Sequence, residues 1–177
     1  MSFLVWKYIS EAQIQELEEC LDEVGIKKKL MAIFGLEAVD RKKLKITLGF
    51  HFRNYAFCKE KAFDFRRTST FMSMMNEIFI VDASLNSSVN SLELSFQRFK
   101  DLMMKHSVDR PPKSVQVFRE TDLDAILFFS IERYFKNFKL YSYIFATQAR
   151  TEIKQVSSNF TEVPKIALPL AEAFQLS

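Results

Sequence analysis

Two adjacent prolines, Pro111 and Pro112, interrupt a chain in which apolar residues otherwise recur at helical spacing. Each proline removes a backbone donor and disfavours helical geometry at the residue before it, so one helix must end before the pair and another must begin after it. With 3 glycines, the 177-residue chain has few of the residues that tight turns between strands require. We therefore predict an all-α fold: a compact bundle of about five helices, with a Pro-Pro hinge before a long aromatic-rich helix and an irregular C-terminal tail.

The first two predicted helices carry opposite charges. Ser10 and Gln13 form a capping-box pattern at the start of the first helix, and Gly25 is its predicted end. The apolar stripe of this helix comprises Ile14, Leu17, Leu21 and Val24. Asp40 is the predicted cap of the second long helix. The outer face of the first helix is acidic and residues 41–67 are basic, so the two regions either pair within the fold or face different partners.

Two further helices are predicted before the prolines. Ser69 or Thr70 is expected to cap the third helix, and residues 86–91 form the clearest predicted loop. The apolar stripe of the fourth helix comprises Leu92, Phe96, Phe99 and Met103. We divide the chain into residues 1–39, an acidic helix with a basic connector, and residues 40–149, a helical core. Residues 150–177 are a predicted tail that docks on the core or on a partner.

The helix predicted after the prolines is apolar on nearly all sides. Thr121 and Asp124 form a second capping-box pattern, from which this helix is predicted to run to about Gln148. Its second apolar face comprises Phe128, Phe129, Leu140, Tyr143 and Ile144. Burial of one such side chain stabilises a fold by roughly 1.5–3 kcal/mol, so two faces in water would be costly. The helix is therefore either the central core helix or a helix between its own domain and a partner.

The sequence lacks the residue patterns of an active site. His51 and His106 are the only histidines, and neither lies in a zinc-binding or catalytic spacing. The three scattered glycines cannot form a nucleotide-binding loop, and no calcium-binding loop is present. The acidic residues near position 122 lie at a predicted helix N-terminus, where the helix dipole favours negative charge, so they do not require a bound metal. We predict a binding protein that is not an enzyme and has no cofactor or metal.

Composition and patterning limit the partners. A formal charge of +3 at pH 7 is too small to predict nucleic-acid binding, and helical aromatic residues usually face inward. The start of the chain does not resemble a signal peptide, and no apolar run is long enough to span a bilayer, which predicts a cytoplasmic protein that does not enter the membrane. Residues 98–110 and 133–150 are basic and amphipathic, as calmodulin targets are, although a core helix with a basic outer face is the simpler interpretation.

Two segments resemble the small subunits of the C1a projection of the flagellar central apparatus. They are HSVDRPPKSVQVF and YFKNFKLYSYIF, and a looser similarity extends the matched region to residues 48–146. The matched positions are Ser107, Val108, Arg110, Pro111, Pro112, Ser114, Phe118, Tyr134, Phe135, Lys139, Leu140, Tyr141 and Tyr143. The Arg-Pro-Pro block is the most specific part of this resemblance.

The resemblance implies a structural adaptor subunit of the ciliary or flagellar axoneme that contributes to ciliary and sperm motility. Its implied partners are a large axonemal scaffold protein, other central-apparatus subunits and calmodulin. We expect the partner-binding residues to be Arg110, Pro111, Pro112, Ser114, Phe118, Tyr134, Phe135, Phe138, Lys139, Tyr141 and Tyr143. One relative is described as a ciliary calcium-binding coiled-coil protein, but this sequence has neither a calcium loop nor a sustained heptad pattern. The alternative is a calcium- or calmodulin-linked sensor at the centrosome or cilium base.

Overall fold

A computed structural model describes residues 4–84 and 91–145, which belong to one compact unit. Over these residues the chain is helical and has no β-strand. The α-helices are α1 (Glu11–Glu19), α2 (Glu23–Ile33), α3 (Arg41–Glu60), α4 (Phe65–Ser84), α5 (Leu92–Ser107), α6 (Glu120–Arg133) and α7 (Phe138–Phe145). Short 3-10 turns lie at Leu36–Ala38 and Phe135–Asn137. The all-α prediction is confirmed, and none of the described helices is long and apolar enough to cross a membrane.

Four predictions from the sequence are not settled by these residues. The predicted tail at 150–177 and most of the predicted loop at 86–91 lie outside the described residues. The division at residues 39 and 40 and the hinge action of the prolines also stay predictions.

Helix α4 is the central helix of the described bundle. It packs against α1, α3, α5 and α7, and most of its side chains are buried. Five large apolar side chains among them are each 1% exposed or less: Phe71, Met72, Met74, Met75 and Ile78. A helix that is apolar on several sides can pack against four neighbouring helices. In the structure α4 is therefore the central core helix, a place that the sequence analysis considered for the helix after the prolines. That helix is instead left with an outer face.

Polar side chains of α4 anchor the start of the chain. The Ser69 hydroxyl donates to the Ile9 carbonyl at 2.8 Å and accepts from the Trp6 backbone N–H at 3.0 Å. Ser69 therefore lies inside α4 rather than at its start, and so does the other predicted cap, Thr70. The start is formed by Asp64, whose carboxylate accepts from the Arg67 backbone N–H at 2.7 Å. An aspartate before the first turn satisfies a donor that the helix leaves unpaired.

The first predicted helix is divided in two, which corrects its predicted end at Gly25. Helix α1 ends at Glu19, α2 begins at Glu23, and Gly25 lies within α2. One continuous helix would place Glu19 and Glu23 four residues apart, where like charges repel. In the structure Glu23 lies in the first turn of α2, where the helix dipole favours a negative charge, and it also pairs with Lys27 four residues later. At the break between α1 and α2, Leu21, predicted to be on the apolar stripe, is 97% exposed.

The capping predictions for α1 and α3 are confirmed. Ser10 and Gln13 form the capping box, and the Asp40 carboxylate accepts from the Lys42 backbone N–H at 3.2 Å. Two of the acidic residues of α1 pair within the fold: Glu16 lies 3.8 Å from Lys29, and Glu18 lies 3.8 Å from Lys59. Part of the acidic face is therefore matched to the basic region by the fold itself.

The long helix predicted after the prolines is also divided. Helix α6 ends at Arg133, the 3-10 turn follows, and α7 begins at Phe138. The break occurs at Tyr134, and it allows Tyr134 and Phe135 to be buried together, at 1% and 7% exposure. In a continuous helix these neighbours would point about 100° apart, so one of them would lie nearer the solvent. The change of direction is called here the α6–α7 elbow, residues 134–137.

Candidate interaction surface

The Pro-Pro segment forms a tight turn beyond the end of α5. The backbones of Arg110 and Ser114 exchange two hydrogen bonds, each of 3.1 Å. Arg110, Pro111 and Pro112 are exposed at the tip, whereas the Ser114 side chain is buried at its base. The turn therefore presents a short rigid loop to the solvent.

The chain after this turn folds back and covers the end of α5. The Val115 backbone N–H donates to the Lys105 carbonyl at 3.0 Å. The N–H groups of Val117 and Phe118 both donate to the His106 carbonyl, at 2.8 and 3.1 Å. The last carbonyls of a helix lack partners within the helix, so these bonds satisfy groups that would otherwise need water. Phe118 is fully buried and holds the segment against the bundle.

A buried polar network fixes the α6–α7 elbow. The Tyr134 hydroxyl donates to one oxygen of the Asp82 carboxylate at 2.6 Å, and the Ser95 hydroxyl donates to the same oxygen. The Arg98 guanidinium lies 2.5 Å from the other oxygen. Asp82 is on α4, and Ser95 and Arg98 are on α5, so one carboxylate joins two helices to the elbow. Burial, and then the nearby Asp82 charge, raise the pKa of Tyr134 above its usual range.

Aromatic contacts complete the elbow. The Phe135 ring meets Phe96 and Phe99 on α5 with centroids 5.1 and 5.4 Å apart, and Tyr134 stacks with Tyr141 at 5.2 Å. Such pairs add to the stability that burial alone provides.

The predicted partner-binding residues therefore fall into two groups. The buried group is Ser114, Phe118, Tyr134, Phe135 and Phe138, with Tyr141 half-buried. The exposed group is Arg110, Pro111, Pro112, Lys139 and Tyr143. Only the exposed group offers side chains to a partner in the described fold. Their role in binding stays a prediction, and the buried group shapes the surface from beneath.

The second apolar face predicted for this part of the chain is present at three positions. Phe128 on α6 is 70% exposed, and Leu140 and Tyr143 on α7 are 62% and 71% exposed. Phe129 and Ile144, which belong to the same prediction, are partly buried. Phe128 also lines a cleft of about 450 Å³ between α3 and α6, together with charged residues at its rim.

An apolar groove runs between α5 and α6, and we call it the α5–α6 groove. Phe96, Met103 and Met104 line it from α5, and Leu123 and Leu127 line it from α6. Its volume is about 380 Å³, and its lining is almost entirely apolar. Sequence reasoning found both apolar stripes but not the groove, because spacing along one helix does not show which helix lies beside it.

Both histidines of the chain lie in the interior of the described fold. Burial lowers the pKa of His51 to about 3 and, with a smaller effect of Lys105, the pKa of His106 to about 4. His51 stacks on Phe34 with ring centroids 3.9 Å apart, which is a packing role. Over residues 4–84 and 91–145, no group of three metal-binding side chains comes together.

Comparison with known protein families gives one match that covers most of these features. Residues 53–153, more than half of the chain, match the family described as CLAMP, flagellar C1a complex subunit C1a-32. The matched region contains α4, α5, α6 and α7, the Pro-Pro turn, the elbow and the α5–α6 groove.

Proposed function

The chain belongs to the CLAMP family of the flagellar C1a complex subunit C1a-32, and we propose that it is a non-enzymatic structural subunit that contributes to assembly of the C1a projection and to ciliary and sperm motility. Membership in this family implies a place in the flagellar axoneme. The resemblance found in the sequence is thereby confirmed. The finer role, in assembly and motility, is the proposal.

The observation that carries the proposal is the outer apolar surface of the family region. Met104, Phe128, Leu140 and Tyr143 are all more than 60% exposed, although the same region buries many other large side chains. Burial of one large apolar side chain would stabilise the protein by roughly 1.5–3 kcal/mol, and this stabilisation is absent while the side chain remains in water. Large apolar side chains left exposed at several positions are available for contacts with a partner protein, as the assembly of a subunit into a complex requires.

We further propose that a large axonemal scaffold, other central-apparatus subunits and calmodulin are the partners. Calmodulin suits α5, which carries the exposed Met104 between Lys100 and Lys105 and is followed by the exposed Val108. A basic helix with apolar anchors is the type of target that calmodulin accepts. The other basic stretch, residues 133–150, is interrupted by the elbow and continues beyond the described residues, so it supports this partner less well.

The direct test of function is capture of the full chain from isolated cilia. We expect the tagged chain to recover an axonemal scaffold and further C1a subunits under conditions that leave the projection intact. Recovery of soluble metabolic or nuclear proteins alone would contradict an axonemal role. A variant with Val24→Ser, which changes an exposed apolar residue outside the matched family region, is the matched control and should capture the same proteins.

A second candidate function is a calcium- or calmodulin-linked sensor at the centrosome or cilium base. It is favoured by the exposed methionine beside cations on α5. Calorimetry of the full chain with calmodulin, with and without calcium, separates the two functions. A sensor requires binding that depends on calcium, whereas an assembly subunit retains its axonemal partners when calcium is removed.

A further inference from the structure

The α5–α6 groove differs from the other surfaces in having walls of unlike charge. On α5, Lys100 lines the groove, and its ammonium lies 5.5 Å above the Phe96 ring. On α6, Glu120 and Asp124 are exposed and alternate with the lining residues Leu123 and Leu127. Residues three and four apart are neighbours on a helix surface, so these two carboxylates border the α6 wall.

We propose that the α5–α6 groove binds an amphipathic helix of another C1a subunit, with acidic residues on the edge facing Lys100 and basic residues on the edge facing Glu120 and Asp124. This inference rests on the proposed function and adds the place and the chemistry of one contact. It assigns the groove to a helix rather than to a small molecule or a second copy of this chain.

The shape and lining of the groove select a helix. A volume of about 380 Å³ takes a few large aliphatic side chains, and nothing in the lining except Lys100 and Ser107 is polar. A small ligand would need several convergent polar groups to fix its orientation. An amphipathic helix needs only a row of pockets for residues at positions i, i+3, i+4 and i+7. Two flexible methionines in the wall, Met103 and Met104, let the groove adapt to those residues.

The charges select the orientation of that helix. A helix with like charges on both edges would place one edge against a wall of the same sign, which is destabilising. Lys100 lines the α5 side of the groove, whereas Asp101, its neighbour in the sequence, does not. Lys100 is therefore the charged residue of the α5 wall.

Three designed peptides of about 18 residues, or five helical turns, test the proposal on the full chain. All carry the same leucine stripe. One has glutamates on one edge and lysines on the other, one has glutamates on both edges, and one has lysines on both edges. We expect the mixed peptide to bind at least about fivefold more tightly than the peptide with glutamates on both edges, which opposes Glu120 and Asp124, and at least about twofold more tightly than the peptide with lysines on both edges, which opposes Lys100. Equal binding of all three, or no binding, overturns the proposal.

Protein variants locate the binding. Met104→Glu should reduce binding of the mixed peptide by at least about tenfold. Val24→Glu is the matched control, because Val24 is 65% exposed and Met104 is 66% exposed, and it should have no effect. Lys100→Glu should shift the preference toward the peptide with lysine on both edges. Equal effects of Met104→Glu and Val24→Glu would show that the peptide binds elsewhere.

Two other occupants would be revealed by the same measurements. One variant of the full chain has serine in place of four apolar residues of the predicted C-terminal tail, Ile166, Leu168, Leu170 and Phe174. If this variant binds the peptide about tenfold or more tightly than wild type, the chain's own C-terminal segment covers the groove and the proposal fails. If Met104→Glu converts a dimer into a monomer in sedimentation, a second copy is the occupant and the proposal also fails. If the Met104→Glu variant captures the C1a subunits from cilia as well as the wild-type chain does, the proposal for the groove fails, whereas the proposed function is unaffected.

Discussion

The Tyr134 hydroxyl donates to the buried Asp82 carboxylate at 2.6 Å, and this bond ties the elbow after α6 to the central helix α4. Asp82 is 5% exposed and Tyr134 is 1% exposed. A buried carboxylate needs several donors, because leaving it without them would cost far more than a single hydrogen bond gains. The position of α7, and of the exposed Leu140 and Tyr143 on it, therefore depends on this contact.

The first prediction removes that hydroxyl. Tyr134→Phe should lower the free energy of unfolding by about 1–3 kcal/mol, because Asp82 loses one donor while the ring packing is kept. Urea unfolding followed by circular dichroism measures the change. Tyr143→Phe, at an exposed position on α7, is the matched control and should change stability by less than about 0.5 kcal/mol. Equal stability of the two variants would show that the Asp82 contact is not structural.

The second prediction concerns the start of α6. The Asp122 carboxylate lies 3.2 Å from the Arg67 guanidinium of α4 and accepts from the Arg119 backbone N–H at 3.0 Å. Asp122→Ala should lower the free energy of unfolding by about 1–2 kcal/mol, since it removes both a cap and a mostly buried ion pair. Asp124→Ala, two residues later and exposed, should cost less than about 0.5 kcal/mol. A larger loss from Asp124→Ala than from Asp122→Ala would contradict this assignment.

The third prediction is a dependence of stability on pH. The folded state holds the pKa of His51 near 3, while an unfolded histidine has its usual pKa of about 6.5. Between these values the unfolded chain binds the proton and the folded chain does not, so stability falls as pH is lowered from 6.5 toward 3. His51→Phe keeps the ring on Phe34 and should retain about 2 kcal/mol more stability than wild type on moving from pH 7 to pH 4.5.

Unfolding curves of both proteins at the two pH values check this difference. His106, whose pKa is also lowered, remains in both proteins, so each should still lose some stability in acid. Identical losses in wild type and His51→Phe would mean that His51 takes up its proton in the folded state.

The fourth prediction separates assembly from folding at the Pro-Pro turn. Arg110 is exposed, and its backbone rather than its side chain forms the two bonds to Ser114. Arg110→Ala should therefore leave the melting temperature of the isolated chain nearly unchanged, while recovery of axonemal partners falls. Melting curves and capture from cilia measure the two effects. A loss of thermal stability that matches the loss of capture would contradict an interface role for this side chain.

The helices themselves could be predicted because their causes are local. The capping groups Ser10 and Asp40 and the prolines act within a few residues, and the sequence placed the corresponding helix ends correctly. The sequence misplaced the starts of α4 and α6 and missed the breaks after Glu19 and at Tyr134, because spacing along one helix does not show which tertiary contacts form. At Tyr134 the contact is with Asp82, 52 residues away. The predicted end at Gln148 lies outside the described residues.

The interaction surface could be predicted only in part. The family resemblance identified the Pro-Pro turn and the aromatic segment, but buried and exposed members of that segment look alike in the sequence. Phe135 packs on α5 while Tyr143 lies in solvent, and only the elbow distinguishes them. The walls of the α5–α6 groove come from two helices that the Pro-Pro turn separates in the sequence, so no local pattern could reveal it.

The most direct test of the central claim is a map of the native axonemal central apparatus in which this chain can be traced. We predict that its helices lie in the C1a projection, with another subunit covering the α5–α6 groove and the exposed residues of α6 and α7. A map in which the chain is absent from that projection, or lies there with the α5–α6 groove in solvent, would contradict the account.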